Sequence, residues 1–309
     1  MRSLLLSAAL LLSTVTSITP QAAAAAEPVD SLRRRIESRL DSLRRAVPSA
    51  FVGMSWWDLG SGERLDIYGD SVFHAASTMK VPVMIELMRQ ADRGALSLDQ
   101  DVLLVNRFGS IVDGSPYTLD PGDDSDSATY ALVGSRVKVR DLMRRMIVRS
   151  SNLATNALIA LADPTKVTAT AAALGATRTK VLRGVEDGLA FQRGLNNVTT
   201  ANDLAALLAA IERGRAASTA ACAEMRRILL AQELDAGSIP AGVPPGTPVA
   251  HKSGQITAVL HDAAIVYPRG RAPYVLVVLT RGIADEHVAA RLIADVSRLA
   301  YDHAVGERP

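Results

Sequence analysis

Apolar residues at Leu32, Ile36, Leu40 and Leu43 recur every three or four positions through "RRRIESRLDSLRR", with charges between them. That period predicts an amphipathic helix whose basic side is solvated. Next, "SAFVGMSWWDLGSGERLDIYGD" sets two strand-like runs on either side of "LGSG", a hairpin signal. From Ser71 to about Arg215 the pattern turns helical, with Ala-rich stretches at 142–162, 168–174 and 202–212. Residues 106–139 interrupt it with a loop-like segment rich in Gly, Asp and Ser. The last third reads as helix ("AEMRRILLAQ"), strand ("TPVAHKSG"), strand ("AVLHDAAIVY"), turn ("PRGRAP") and strand ("YVLVVLTRG"). A closing helix repeats Val288, Leu292, Val296 and Ala300 on one face. Strands come from both ends and helices fill the middle, so the order predicts a sheet lobe (27–70 plus 216–309) with an inserted helical lobe (71–215). The crevice between two such lobes is where a site is expected.

The first 26 residues have a basic start, a Leu/Ala-rich run and a small-residue end, the layout of a secretory signal peptide cleaved near Ala26. A secreted or periplasmic protein with no membrane span in its mature chain is therefore expected. The 34 basic and 32 acidic side chains give a net charge of +2, and loss of Arg2 with the leader makes it +1. Nucleic-acid binding, which needs a basic face, gains no support from that balance. Cys222 is the only cysteine, so no intramolecular disulfide can form despite the expected export. Flanked by small and apolar residues, it reads as a buried hydrophobe.

One residue breaks the hydrophobic pattern. In "FHAASTMKVPVMIELMRQ", Lys80 stands among Val81, Val83, Met84, Ile85, Leu87 and Met88. Ser77 lies three residues earlier, on the neighbouring position of a helical face. Pro82 is tolerated only in a first turn, so the helix begins at or just after Ser77, with the hydroxyl at its positive end. A lysine in water has a pKa of about 10.4 and is neutral at pH 7 in roughly one molecule in 2,500. Apolar surroundings and a second cation raise that fraction, and a neutral amine touching a hydroxyl can make it a nucleophile. Further on, Ser150, Ser151 and Asn152 precede a helix, where Ser and Asn are also ordinary caps. "VAHKSGQ" then carries Lys252, Ser253 and Gly254 at a strand end.

Ser77-Thr-Met-Lys80, Ser150-Ser-Asn152 and Lys252-Ser-Gly254, in that order, resemble the S-x-x-K, S-D-N and K-T-G set of class A β-lactamases and penicillin-binding proteins. The resemblance extends over nearly all of the expected mature chain. It implies an α+β fold: an antiparallel sheet of about five strands flanked by terminal helices, with an inserted all-α lobe. It also implies a cofactor-free, metal-free serine hydrolase, expected as a monomer, acting on a β-lactam or a D-Ala-D-Ala peptide. Ser77 would then be the nucleophile, Lys80 its proton acceptor or relay, and Ser150 the donor to the leaving nitrogen. Asn152 would hold the substrate's side-chain amide. Lys252, Ser253 and Gly254 would line the carboxylate side, with Lys252 helping to keep Lys80 neutral. The backbone N–H groups of Ser77 and Gln255 would form an oxyanion hole, each such donor being worth about 3–4 kcal/mol of barrier.

Several positions depart from the family pattern. Ser151 replaces the middle aspartate, and the interval before it is lengthened by an Asp-rich loop. His261 stands where many class A enzymes carry an arginine for the substrate carboxylate, with Arg281 as a substitute. The family's E-x-x-L-N signature is absent: Glu186 or Asp187 could activate the hydrolytic water, but Ala190 stands where an Asn would follow, leaving Asn196 or Asn197 to hold it. With a working base the chain is a β-lactamase. Without one it is a D-alanyl-D-alanine peptidase or a once-acylated sensor. Metal-dependent hydrolysis finds no H-x-H or H-E-x-x-H spacing, and no G-x-S-x-G elbow supports a Ser-His-Asp triad.

Overall fold

The computed structural model describes residues 28–234 and 236–306, so the leader read over 1–26 lies outside the described residues. The Arg-rich segment is helix α1 (Val29–Ala46), which buries Leu32, Ile36, Leu40 and Leu43 as its period requires. Strands β1 (Phe51–Asp58) and β2 (Arg64–Ile67) follow, joined by a turn in which Asp58 accepts from the N–H groups of Gly60 and Ser61. The chain then leaves the sheet through strand β3 (Phe73–His74), a 3₁₀ turn (Ala76–Met79) and helix α2 (Lys80–Asp92). The polar interruption holds short strands β4 (Asp101–Leu103), β5 (Phe108–Gly109), β6 (Pro116–Tyr117) and β7 (Arg136–Lys138), paired β4–β7 and β5–β6. Helices α3 (Val139–Val148), α4 (Asn152–Ala162), α5 (Pro164–Ala173) and the short α6 (Gly188–Gln192) come next. Strand β8 (Val198–Thr199) pairs with β3 before helices α7 (Ala201–Glu212) and α8 (Thr219–Leu230). The chain returns to the sheet as β9 (Val249–Ile256), β10 (Val259–Val266) and β11 (Tyr274–Arg281), and ends in α9 (Glu286–Val305).

The main sheet is five-stranded and antiparallel, in the order β2-β1-β11-β10-β9. Its central strands are mostly apolar on both faces because both faces are covered, with buried Ser55, His261, Asp262 and Thr280 as the polar exceptions. Tyr274, Leu276 and Val278 of β11 and Leu260, Ala264 and Val266 of β10 face the core formed with α1 and α9. The alternate residues Val275, Val277, Leu279, Ala263 and Ile265 face the helical layer. This is the period-two alternation of a strand, with apolar residues in both registers. Cys222, Met225, Ile228 and Leu229 of α8 join the helical core, although α8 follows residue 215 in the chain. Polar side chains start the helices: Ser151, Thr200, Ser218 and Asp285 each accept an N–H from the first turn of α4, α7, α8 and α9. Among the described residues no helix is long and apolar enough to cross a membrane.

For the site, the useful consequence is positional. Strand β9 is an edge, and its unpaired side faces the 3₁₀ turn that carries Ser77. A Cβ at Gly254 would lie 2.9 Å from the N of Ser77 and 3.0 Å from the N of Thr78, so only glycine lets strand and turn approach this closely.

Candidate active site

Ser77 lies in the 3₁₀ turn and Lys80 opens α2, with Pro82 in its first turn. Every residue from Lys80 to Met88 is buried, so the helix runs through the protein rather than along its surface. Ala76, just before the serine, has φ +44°, a conformation that costs an L residue about 1–3 kcal/mol and persists only where its surroundings enforce it. Those surroundings are specific. His74 Nδ1 accepts from Ala76 N at 3.0 Å, and Ala75 N donates to the carbonyl of Asn197 at 2.8 Å.

Lys80 is 0 % exposed, and its Nζ lies 2.6 Å from Ser150 O, 3.0 Å from Ser150 Oγ and 2.9 Å from Asn152 Oδ1. Contact with the Ser77 hydroxyl was expected from helical spacing, but the amine turns instead to the Ser150–Asn152 segment, where a carbonyl and an amide oxygen compete for it. Burial, then the charge of Lys252, push its pKa well below the usual lysine range, while Asp124 and Glu186 pull it back up. Lys80 Nζ donates to all three oxygens, Ser150 O, Ser150 Oγ and Asn152 Oδ1, so one of these bonds must open before its lone pair can turn to Ser77. Ser150 itself sits at φ +56°, which aims its side chain back at Lys80 rather than along α4.

Lys252 is also fully buried, and its Nζ donates to Ser253 O at 2.8 Å. Ser77, Asn152 and Gln255 line both halves of a cleft between the sheet edge and the helical layer. One half, of about 700 Å³, holds Glu186, His74, Arg183 and Phe191; the other, of about 590 Å³, holds Ser150, Ser253, Gly254 and Glu286.

The loop between Lys180 and Val198 separates the two candidate acids. Glu186, at φ +62°, accepts from Asn152 Nδ2 at 2.7 Å. Although the residue as a whole is exposed, enclosure of its carboxyl raises its pKa and Asp124 and Asp123 add to this, against the Asn152 hydrogen bond and Lys80. Asp187 lines the same half of the cleft, but its carboxylate is already committed. It accepts from Ser110 Oγ, Ile111 N and Ala190 N, each at 2.9–3.0 Å, and these bonds outweigh its burial and hold its pKa low. Asn197 is spent on the neck of the loop, with its amide bonded to Leu182 N, Arg183 N and Arg183 O. Asn196 accepts from Arg183 Nη2. Asn156, which the sequence reading did not single out, brackets Val185: its Oδ1 accepts from Val185 N at 2.7 Å and its Nδ2 donates to Val185 O at 3.0 Å. One turn beyond Asn152 on α4, it could have been found by its helical spacing alone.

Neither candidate for the missing arginine reaches the cleft. His261 is buried: its Nδ1 accepts from Thr280 N, so its Nε2–H donates to His74 O at 2.9 Å. Burial lowers its pKa to about 4, so it is neutral, and it fastens β10 to the strand that leads into Ser77. Arg281 donates to Val72 O and lies over the rings of Phe51 and Phe73, 4.4 and 5.2 Å from their centroids. Among the described residues no group of three or more His, Cys, Asp or Glu side chains is arranged to hold a metal ion.

Known proteins share this framework. A sequence profile of the β-lactamase enzyme family matches residues 35–304. A β-lactamase of Streptomyces albus G is 27% identical over 270 residues, covering 85% of this chain and 82% of its own. β-Lactamase L2 of Stenotrophomonas maltophilia is 28% identical over 275 residues, covering 86% and 84%. Among solved structures, PBP-A superposes with a TM-score of 0.74 at 25% identity, covering 90% of this chain and 97% of its own. The chain therefore belongs to the β-lactamase enzyme family.

Proposed function

We propose that the protein is a serine β-lactamase that opens the lactam amide through an acyl-enzyme on Ser77. Neutral Lys80 takes the Ser77 proton as Oγ attacks the carbonyl carbon, and the backbone N–H groups of Ser77 and Gln255 receive the developing oxyanion. The proton passes from Lys80 through Ser150 Oγ to the lactam nitrogen as the C–N bond breaks, which returns Lys80 to its neutral state. Lys80 must release part of its hold on the Ser150–Asn152 segment to reach Ser77 when substrate is bound. Ser253 and the charge of Lys252 serve the substrate carboxylate, and Asn152 the side-chain amide. Glu186 then takes a proton from water as its oxygen attacks the acyl carbon, and as the bond to Ser77 Oγ breaks that proton is returned to the serine oxygen, which leaves Glu186 ionised again.

The observation that carries this reading is the unbroken chain Glu186–Asn152–Lys80–Ser150, whose links of 2.7, 2.9 and 3.0 Å border the cleft at Ser77. It supports one carboxylate available for hydrolysis beside an amine suited to acylation. The second reading, a penicillin-binding D-alanyl-D-alanine peptidase, is favoured by Asn197 being locked in the loop neck and by the likeness to PBP-A. Intact mass after addition of a penicillin separates the two. Return to the unmodified mass within minutes is expected, whereas an adduct that persists for hours favours the peptidase. We further propose that the chain is exported after loss of residues 1–26 and acts as a monomer, with sheet lobe and helical lobe divided near residue 70 and, because α8 packs in the helical core, beyond Leu230 rather than near residue 215.

A further inference from the structure

The long loop before the Ser150–Asn152 segment carries Asp120, Asp123, Asp124 and Asp126. Two of these acids are buried, Asp124 at 6 % and Asp126 at 3 % exposure, which is unusual for carboxylates and requires partners. Asp126 is the anchor: it accepts from Thr129 Oγ1 at 2.7 Å and Arg145 Nη1 at 2.9 Å, and Arg149 lies 3.7 Å away. Ser125 adds a bond to the carbonyl of Arg149. The loop is thereby fastened to the end of α3, and Asp124 is delivered to the start of α4. Its Oδ2 accepts from the N–H groups of Asn152 and Leu153, both at 2.9 Å, and its Oδ1 accepts from Asp126 N at 3.0 Å.

We propose that Asp124 is a positioning residue for acylation, a carboxylate brought in by the inserted loop that holds the Ser150–Asn152 segment against Lys80. The proposal rests on the roles given above to Ser77, Lys80 and Ser150. A carboxylate at a helix N-terminus satisfies orphan N–H groups and is stabilised by the helix dipole. Here the two N–H groups belong to Asn152 and its neighbour, so the bond sets where the Asn152 amide and the left-handed Ser150 stand. The same negative charge acts on the amine. Lys80 is faced by Lys252 from β9, Glu186 from the 180–198 loop and Asp124, with Ser150 and Asn152 as its neutral partners. Asp124 opposes the lowering by Lys252 and burial, so its removal should drop the Lys80 pKa further. Ser151 Oγ lies 3.5 Å from Asp124 Oδ2, so a carboxylate at position 151 would reach the space that Asp124 fills.

The test compares the parent, Asp124→Asn and the double variant Asp124→Asn/Ser151→Asp, with full-length mature protein throughout. Penicillin acylation followed by mass across pH should slow about 10- to 100-fold in D124N, the range for a slightly misplaced catalytic group. The acid limb of its profile should move to lower pH, and the double variant should recover both rate and limb. Titration of Lys80 by NMR of ¹³C-labelled lysine should show the same downward move, and Asn152 and Leu153 amide exchange should quicken. These two readouts need no reaction: a parent that takes no label sinks the β-lactamase reading, while they still decide on Asp124. Acylation within twofold of the parent with an unmoved Lys80 titration would overturn the proposal. So would a double variant as slow as D124N, or loss of folded protein in both variants.

Discussion

Two regions face each other across the cleft and are built in opposite ways. The Ser77–Lys80 turn runs into a helix buried from its first residue, and the amine is held by three partners from one short segment. Glu186 sits in a loop whose only regular piece is the five-residue α6, and it is held at second hand. Asn152 holds its carboxylate, Asn156 holds the neighbouring Val185 backbone, and Asp187 ties the loop to Ser110 and Ile111 of the inserted segment. The acylating half is fixed by packing and the hydrolytic half by a few polar bonds, so mutation should separate them.

The largest expected effect comes from breaking the packed half. Ser77→Ala should take up no penicillin adduct in intact mass, and Lys80→Ala should acylate about 10²–10⁴-fold more slowly, the usual weight of a proton acceptor. Next, Glu186→Gln should acylate within about threefold of the parent yet keep its adduct about 10²–10⁴ times longer. Because the Glu186 pKa is raised, the parent's deacylation should fail as pH drops through a value above the ordinary glutamate range of about 4.3, and an unchanged adduct lifetime in E186Q would remove it from the mechanism. Asn156→Ala loosens only the loop. Its adduct should live about tenfold longer, equivalent to about 1.4 kcal/mol or one or two hydrogen bonds, while its acylation rate stays near that of the parent.

The buried amine also has a stability signature. With a lowered folded pKa, Lys80 binds fewer protons folded than unfolded, so the parent gains stability as pH rises from the lowered value towards about 10.4. Denaturant unfolding of the parent relative to Lys80→Met should show that slope, about 1.4 kcal/mol per pH unit inside the window, and a flat difference would mean the amine stays charged. The smallest effect belongs to Arg281→Ala. Because Arg281 is stacked on Phe51 and Phe73, KM should stay within about twofold; a tenfold rise would place the guanidinium on the substrate.

The elements with strong periodicity are legible in the sequence. The α1 stripe, the β1–β2 hairpin, the three C-terminal strands and the closing helix each follow from a repeat of 3.6 or 2 residues. The lysine in the apolar run was equally visible, since a charge among core residues calls for an explanation. The inserted segment was not, because its short strands and two buried aspartates are fixed by partners far along the chain: Asp124 by Asn152 and Leu153, Asp126 by Arg145. His261 and Arg281 misled for the same reason. Position along a strand says which face a side chain is on, but not that a carbonyl or two rings already occupy it.

By itself, then, the sequence determined the layout of strands and helices and the set of groups able to make a nucleophile, because those depend on local period and residue chemistry. Only the tertiary structure decided which acid faces Asn152, which asparagine is already taken, and that the loop before Ser150 supplies a buried carboxylate. Those outcomes depend on hydrogen bonds between residues tens of positions apart, whose partners no local pattern encodes.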